Sequence, residues 1–238
     1  PLAYIFSPIK ALTNSSVNID PSISLSFHSN MYRIEIIYYT VCMDEVRLQE
    51  IHDKARKEHV PIMLDDGMEF LLEYIRSHEG IRDILEIGTA VGYSAIQMAN
   101  LRWDMTIDTV EINPEMYHQA VDNIMHAGIQ DRVHAYLQDA YQFETKKVYD
   151  LIFIDAAKSQ YRKYMEHFFK NARKGTVFFF DNLQFHGIVD CPELSQNRST
   201  VQMTRKILKF REYLKTDTRF ETTFHLDVGD GIAIAVVK

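Results

Sequence analysis

Cysteine is scarce in this 238-residue chain: only Cys42 and Cys191 occur, and neither has a partner at metal-ligand or redox-motif spacing. That excludes a disulfide framework and a zinc knuckle, and it fits a reducing cytoplasm. Long apolar runs are missing as well. The longest fall far short of the roughly 20 residues that cross a bilayer, and the amino-terminal stretch lacks the basic-then-apolar order of a signal peptide. The expectation is a soluble protein. Positive charge is not in excess: the net charge is −7, which argues against binding nucleic acid through bulk electrostatics but leaves room for a local basic patch. No repeat or low-complexity tract stands out.

What remains is ordinary globular composition, 46% apolar and 25% charged, in a length suited to one large α/β domain. Residues 1–43 read as an extension of undetermined role, rich in Ser, Asn and Pro and without a clear period. Within it, IEIIYYTV over 34–41 reads as either an edge strand or a helix. The domain itself is expected over 44–238. Val46, Leu48, Ile51 and Ala55 are spaced for a surface helix over 44–59, and Met68, Leu71, Leu72 and Ile75 for a cleaner amphipathic helix over 65–76. Between them, VPIM over 60–63 is a fixed connector, because proline holds the preceding residue extended.

From there strand and helix patterns alternate. Strands are predicted over 84–87, 106–110, 133–137, 151–154 and 176–180, and helices over 93–101, 114–127, 160–171 and 201–214. A final pair over 220–226 and 232–237 is joined by the turn sequence DVGDG. This order implies a mostly parallel sheet with helices on both faces, closed by an antiparallel hairpin. Met116, Ala120, Val121, Ile124 and Met125 form one helix stripe, and Tyr161, Tyr164, Met165, Phe168 and Phe169 another. Both read as core packing.

The chemistry collects at strand ends, where open α/β sheets bind ligands. Gly88 and Gly92 bracket the turn after the first strand in LEIGTAVGYSA. That spacing is not the G-x-G-x-x-G of a pyrophosphate-binding turn, so a dinucleotide dehydrogenase is disfavoured. Glu111 ends the second strand, placed to accept hydrogen bonds from two ribose hydroxyls; the alternative is a charge at a helix N-terminus. A nucleoside without pyrophosphate fits, and S-adenosylmethionine is one. Asp139 and Ala140 end the third strand, where a carboxylate and a backbone N–H can address an adenine edge. Asp155, Asp181 and Asn182 offer two carboxylates and an amide oxygen from neighbouring strand ends, an oxygen-only set suited to Mg²⁺. Such an ion eases ionisation of a bound hydroxyl. Lys158, three residues after Asp155, is then a general base or an oxyanion stabiliser. The plain alternative makes both aspartates helix caps and Lys158 a solvated surface charge.

LEIGTAVGYSA, VEINPE, YDLIFIDAAKSQY and TVFFFDN resemble, in order, spacing and residue type, the motifs of the metal- and S-adenosylmethionine-dependent O-methyltransferases of the catechol and caffeoyl-coenzyme A type, with a Rossmann-like class I fold of seven strands. Within that family HVPIMLDDGMEFLL and VGDGIAIAVVK look most similar to bacterial members that methylate the 5-hydroxyl of 5-hydroxyuridine at the tRNA wobble position. The resemblance implies that Met63, Glu86, Gly88, Ser94, Glu111, Asp139, Ala140 and Asp155 hold the cofactor. It further implies that Asp155, Asp181 and Asn182 hold Mg²⁺, that Asp155 and Lys158 act at the reacting hydroxyl, and that the protein is a homodimer. One departure concerns the partner. Where those tRNA enzymes carry a dense arginine run, ELSQNRSTVQMTRK has only Arg198, Arg205 and Lys206, followed by Lys209 and Arg211, with a second basic cluster at Lys170, Arg173 and Lys174. O-methylation of a small catechol-like molecule therefore stands beside the tRNA reading, and an inactive binding protein on the same fold is the alternative from another class. Asp155, Lys158, Asp181 and Asn182 occurring together argue against the last.

Overall fold

A computed structural model describes residues 47–238; the expectations for the extension over 1–43 and for its apolar run over 34–41 lie outside the described residues. Helix α1 occupies 47–57. Helix α2, Asp65–Ser77, buries Met68, Leu71, Leu72 and Ile75, the stripe its spacing predicts. It lacks a side-chain cap, and Asp65 and Asp66 in its first turn offset the positive end of the helix dipole instead.

The alternating segment folds as β1 (Asp83–Ile87), α3 (Tyr93–Asn100), β2 (Thr106–Glu111), α4 (Pro114–His126) and β3 (Val133–Leu137). It continues with β4 (Leu151–Ile154), α5 (Tyr161–Phe168), β5 (Val177–Phe180), α6 (Arg198–Thr216), β6 (Phe220–His225) and β7 (Ile232–Val237). They build one seven-stranded sheet in the order β3-β2-β1-β4-β5-β7-β6. The first five strands run parallel, and β7 lies antiparallel between β5 and β6. Chain order reverses between β1 and β4, which opens a crevice at their C-terminal ends. Because β7 runs the other way, the turn before it arrives at that same edge, beside the end of β5, with Phe180 opposite Ala233.

Strands β4 and β5 are buried along their whole length, which is why they read as continuous apolar runs. Successive side chains point to opposite faces. Phe178 and Phe180 pack with Tyr161, Phe168, Ile207 and Phe210 beneath α5 and α6. Val177 and Phe179 pack with Leu71, Ile75, Ile96 and Ile124 beneath α2, α3 and α4. The sheet thus has a core on each face, and the site lies on neither but along its edge. No helix among the described residues is long and apolar enough to cross a membrane.

Several boundaries differ from expectation for local reasons. The helix expected over 160–171 is α-helical only from Tyr161 to Phe168 and is flanked by tight turns at Lys158–Gln160 and Phe169–Asn171. Helix α6 starts three residues early because Asn197 caps it, its Oδ1 accepting the Ser199 and Thr200 N–H groups at 2.9 and 3.4 Å. Met125, expected on the buried stripe of α4, is 61% exposed. Ala120 and Ile124 are the residues of that helix that are fully buried.

Candidate active site

A cavity of about 520 Å³ opens at the crevice between β1, β2 and β4, a size usual for a drug-sized or nucleoside ligand. Met63, Gly88, Ser94, Glu111, Asp139, Ala140 and Asp155 all line it. The cavity therefore brings together seven of the eight residues assigned to the cofactor. Glu86 is the exception: it is fully buried and stands behind the wall. Its carboxyl accepts the Ser94 hydroxyl on one oxygen and the Thr109 hydroxyl on the other, the latter at 2.5 Å, while Thr109 meets Thr89 at 2.6 Å. Glu86 reaches the cavity only through Ser94. Burial, with the nearby charges of Asp155 and Glu111, pushes its carboxyl up to about 8 despite the two hydroxyls.

Glu111 anchors the local backbone and lines the cavity. Its Oε2 accepts the Ala90 N–H at 2.9 Å and its Oε1 the Asn113 N–H at 2.8 Å, which fixes both the turn into α3 and the approach to α4. Each oxygen keeps a lone pair for a ribose hydroxyl, and the side chain faces the cavity. Gly88 sits in the turn the sequence placed there, and a second constraint also requires a glycine. At φ +102°, a Cβ there would stand 2.0 Å from the Asp155 carbonyl oxygen, so its missing side chain admits the neighbouring strand's backbone. Asp139 turns its Oδ1 to the Tyr141 N–H at 2.9 Å.

The cavity has further lining that sequence reasoning missed. Val60, Pro61 and Ile62, read only as a connector, line it, as do Ile112, Met116 and Tyr164. Ile112 is 67% exposed immediately after Glu111, and an apolar residue following the strand-end acid was the available signal. Tyr164 keeps its predicted place in the core and also stacks on Tyr141 at 4.9 Å.

Asp155 is where this cavity meets the second group of residues. Lys158 Nζ lies 3.5 Å from Asp155 Oδ1. Burial raises the Asp155 carboxyl above the usual range, opposed by the Lys158 charge. Burial also holds Asp181 well above it, reinforced by the Asp155 charge. Asp181 Oδ1 accepts the Asn182 N–H at 2.7 Å, and the Tyr161 hydroxyl donates to the Asp181 carbonyl at 2.8 Å. Asp181 Oδ2 is buried and has no partner. An orphaned buried carboxylate oxygen, within the field of a second, half-buried carboxylate, is the arrangement a cation relieves, so the residues present fit a divalent ion. Among the described residues no three His, Cys, Asp or Glu side chains cluster as ligands; two carboxylates and an amide make a sparse set that leaves room for water and substrate.

The basic clusters divide. Arg198, Arg205, Lys206 and Lys209 are exposed on α6, the helix that packs against the Lys158–Gln160 turn. Arg211, counted with them from the sequence, is buried and pairs with Asp190 at 2.8 Å; it serves the fold. In the second cluster Lys170 pairs with Glu144 at 2.6 Å and Arg173 with Asp150.

This fold and cavity define a nucleoside-binding transferase of the class I type, and comparison with known proteins gives the family. The O-methyltransferase family model matches residues 36–238, beginning inside the segment read as an extension, and the chain belongs to that family. A catechol O-methyltransferase of Niastella koreensis is 33% identical over 66% of this chain and 74% of its own. A caffeoyl-CoA O-methyltransferase of Populus kitakamiensis is 24% identical over 79% and 85%. An O-methyltransferase from Bacillus cereus, solved in complex with SAH, superimposes with a TM-score of 0.68 at 30% identity, over 81% of this chain and 91% of that one. The protein is an S-adenosylmethionine-dependent O-methyltransferase.

Proposed function

We propose that the chain methylates the 5-hydroxyl of 5-hydroxyuridine at the tRNA wobble position, giving 5-methoxyuridine, with Mg²⁺ held by Asp155, Asp181 and Asn182. The observation that carries the metal-assisted chemistry is the orphaned Asp181 Oδ2, in the field of Asp155, which itself lines the nucleoside cavity. When bound, a divalent ion supplies Lewis acidity that favours the ionised form of an adjacent hydroxyl. The chain's own residues do the rest. Glu111 and the Asp139–Ala140 turn hold the nucleoside of the methyl donor, and the apolar wall of Ile62 and Met63 keeps water from the transfer path. Lys158 takes the hydroxyl proton at Nζ or stabilises the oxyanion, and positioning with charge stabilisation accounts for the rate. The tRNA reading is supported by the exposed cations of α6 on the helix that borders the Lys158 turn. Phosphate contacts of that kind dominate nucleic-acid affinity.

O-methylation of a small catechol-like molecule is the second reading. It is favoured by Arg211 being buried in an ion pair, by Lys170 and Arg173 having acidic partners, and by the name of the Niastella koreensis relative. Both substrates present a hydroxyl beside a second oxygen on a flat ring. The deciding experiment is transfer from labelled S-adenosylmethionine to tRNA from a strain lacking wobble uridine O-methylation, with and without Mg²⁺, followed by nucleoside analysis. Metal-dependent 5-methoxyuridine is expected; transfer to a catechol with none to tRNA overturns the tRNA reading.

A further inference from the structure

Asp230 is a buried carboxylate outside both the cavity wall and the set of three proposed cation ligands. It sits in the turn before β7, which the antiparallel course of that strand delivers beside the end of β5. There it is tied into the loop that follows Asp181. Its Oδ1 accepts the His186 N–H at 2.5 Å, and its Oδ2 accepts the Asn182 side-chain Nδ2 at 3.3 Å. Backbone bonds add to the lacing: Gln184 N–H donates to the Asp230 carbonyl at 2.7 Å and Leu183 N–H to the Gly231 carbonyl at 2.8 Å. Gly231 permits this approach, since a Cβ there would stand 2.8 Å from the Gln184 nitrogen. The loop so held carries three non-glycine residues at positive φ, Asn182 at 58°, Phe185 at 46° and His186 at 56°. Such backbone persists only where the surroundings over-determine it.

An asparagine amide has two ends with opposite chemistry. The oxygen can ligate a hard cation and the NH₂ cannot. Which end points where is settled by the hydrogen-bond partners. A carboxylate only accepts, so Asp230 engages the NH₂ of Asn182 and leaves the amide oxygen as the free end.

We infer that Asp230 is a positioning residue that sets the orientation of the Asn182 amide, so that its oxygen is presented to the divalent cation. This rests on the reading that Asp155, Asp181 and Asn182 hold such an ion. Outer partners of metal ligands commonly contribute about 10- to 100-fold in metal affinity.

The experiment measures Mn²⁺ binding to the full chain by the paramagnetic resonance signal of the free ion, and SAH binding by calorimetry. The key variant is Asp230→Asn, which preserves size and keeps an oxygen for the His186 N–H but turns an NH₂ toward Asn182, so the Asn182 amide must reverse. Mn²⁺ affinity should fall about 10- to 100-fold while SAH affinity stays within about twofold, because Asp230 does not line the cavity. Asn182→Gly tolerates the positive φ and removes the amide. In that background Asp230→Asn should cost little more, since Asp230 acts through Asn182. Native-like Mn²⁺ affinity in Asp230→Asn, or losses that simply add in the double variant, overturns the assignment. Absence of Mn²⁺ binding in the native protein, or binding unaffected by Asp155→Ala, overturns the metal reading and this assignment with it.

Discussion

Replacing Glu86 by glutamine should make the metal-free, cofactor-free protein more stable at alkaline pH, by an amount that the site's geometry sets. The Glu86 carboxyl is fully buried and is pushed from an ordinary 4.5 up to about 8, first by burial and then by Asp155 and Glu111. Between those values the folded chain holds a proton that the unfolded chain has released. This contribution to stability is whole below pH 4.5, declines as pH rises, and is lost by the time pH has passed about 8. Each pH unit inside the window removes ~1.4 kcal/mol. Integrated from pH 6 to pH 8, with the folded group half ionised at the upper end, the loss is about 2 kcal/mol. Glutamine is a fixed stand-in for the protonated acid. Its oxygen can accept the Ser94 hydroxyl and its NH₂ can donate to Thr109, which passes its own proton to Thr89. Asp155 and Asp181 are raised as well and tilt both proteins the same way, so the informative quantity is the difference between native and Glu86→Gln. Urea unfolding at half-unit pH steps should show that difference widening in favour of the variant by about 2 kcal/mol from pH 6 to 8. Curves that stay parallel to within about 0.5 kcal/mol would refute a proton held on Glu86.

Other expectations follow from the same geometry. Lys158→Ala should lower kcat by about 10²- to 10⁴-fold and leave SAH affinity intact, and the opposite split would remove Lys158 from the chemistry. Asp181→Asn should reduce metal-dependent turnover at least about 100-fold, yet raise metal-free stability at pH 8, because a buried carboxylate repelled by Asp155 is gone; a variant both active and unchanged in stability contradicts this. Glu111→Gln should weaken SAH about tenfold, the equivalent of ~1.4 kcal/mol for one charge-assisted hydrogen bond, as calorimetry would register. Gly88→Ala forces a Cβ against the Asp155 carbonyl and should cost about 3 kcal/mol or more in urea unfolding.

The central strands were legible because strands buried on both faces must be apolar throughout, and LIFI and VFFF are. Their terminal acids were legible as strand-end positions, although each alone also read as a helix cap. Glu86 was harder. It sits inside β1, two residues before Gly88, and only its own burial shows that it stands behind the cavity wall. Arg211 misled because a helix face read from spacing does not say that Asp190 waits across a loop. Asp230 was out of reach altogether. Its partner Asn182 is 48 positions away, and they meet only because β7 inserts between β5 and β6, a strand order that periodicity does not encode.

That insertion bears on how the protein is made. Strand β6 leaves the ribosome before β7, yet among the described residues its sheet neighbour is β7. Until β7 emerges, β5 and β6 both lack the strand they pair with among the described residues, so neither pairing is completed in the order of synthesis. The loop carrying Asn182 waits on the same event, since its anchors at Asp230 and Gly231 come from the turn that introduces β7. The cavity thus draws on β1, β2 and β4, whereas the loop carrying Asn182 is fastened only once the last strand of the fold is in place.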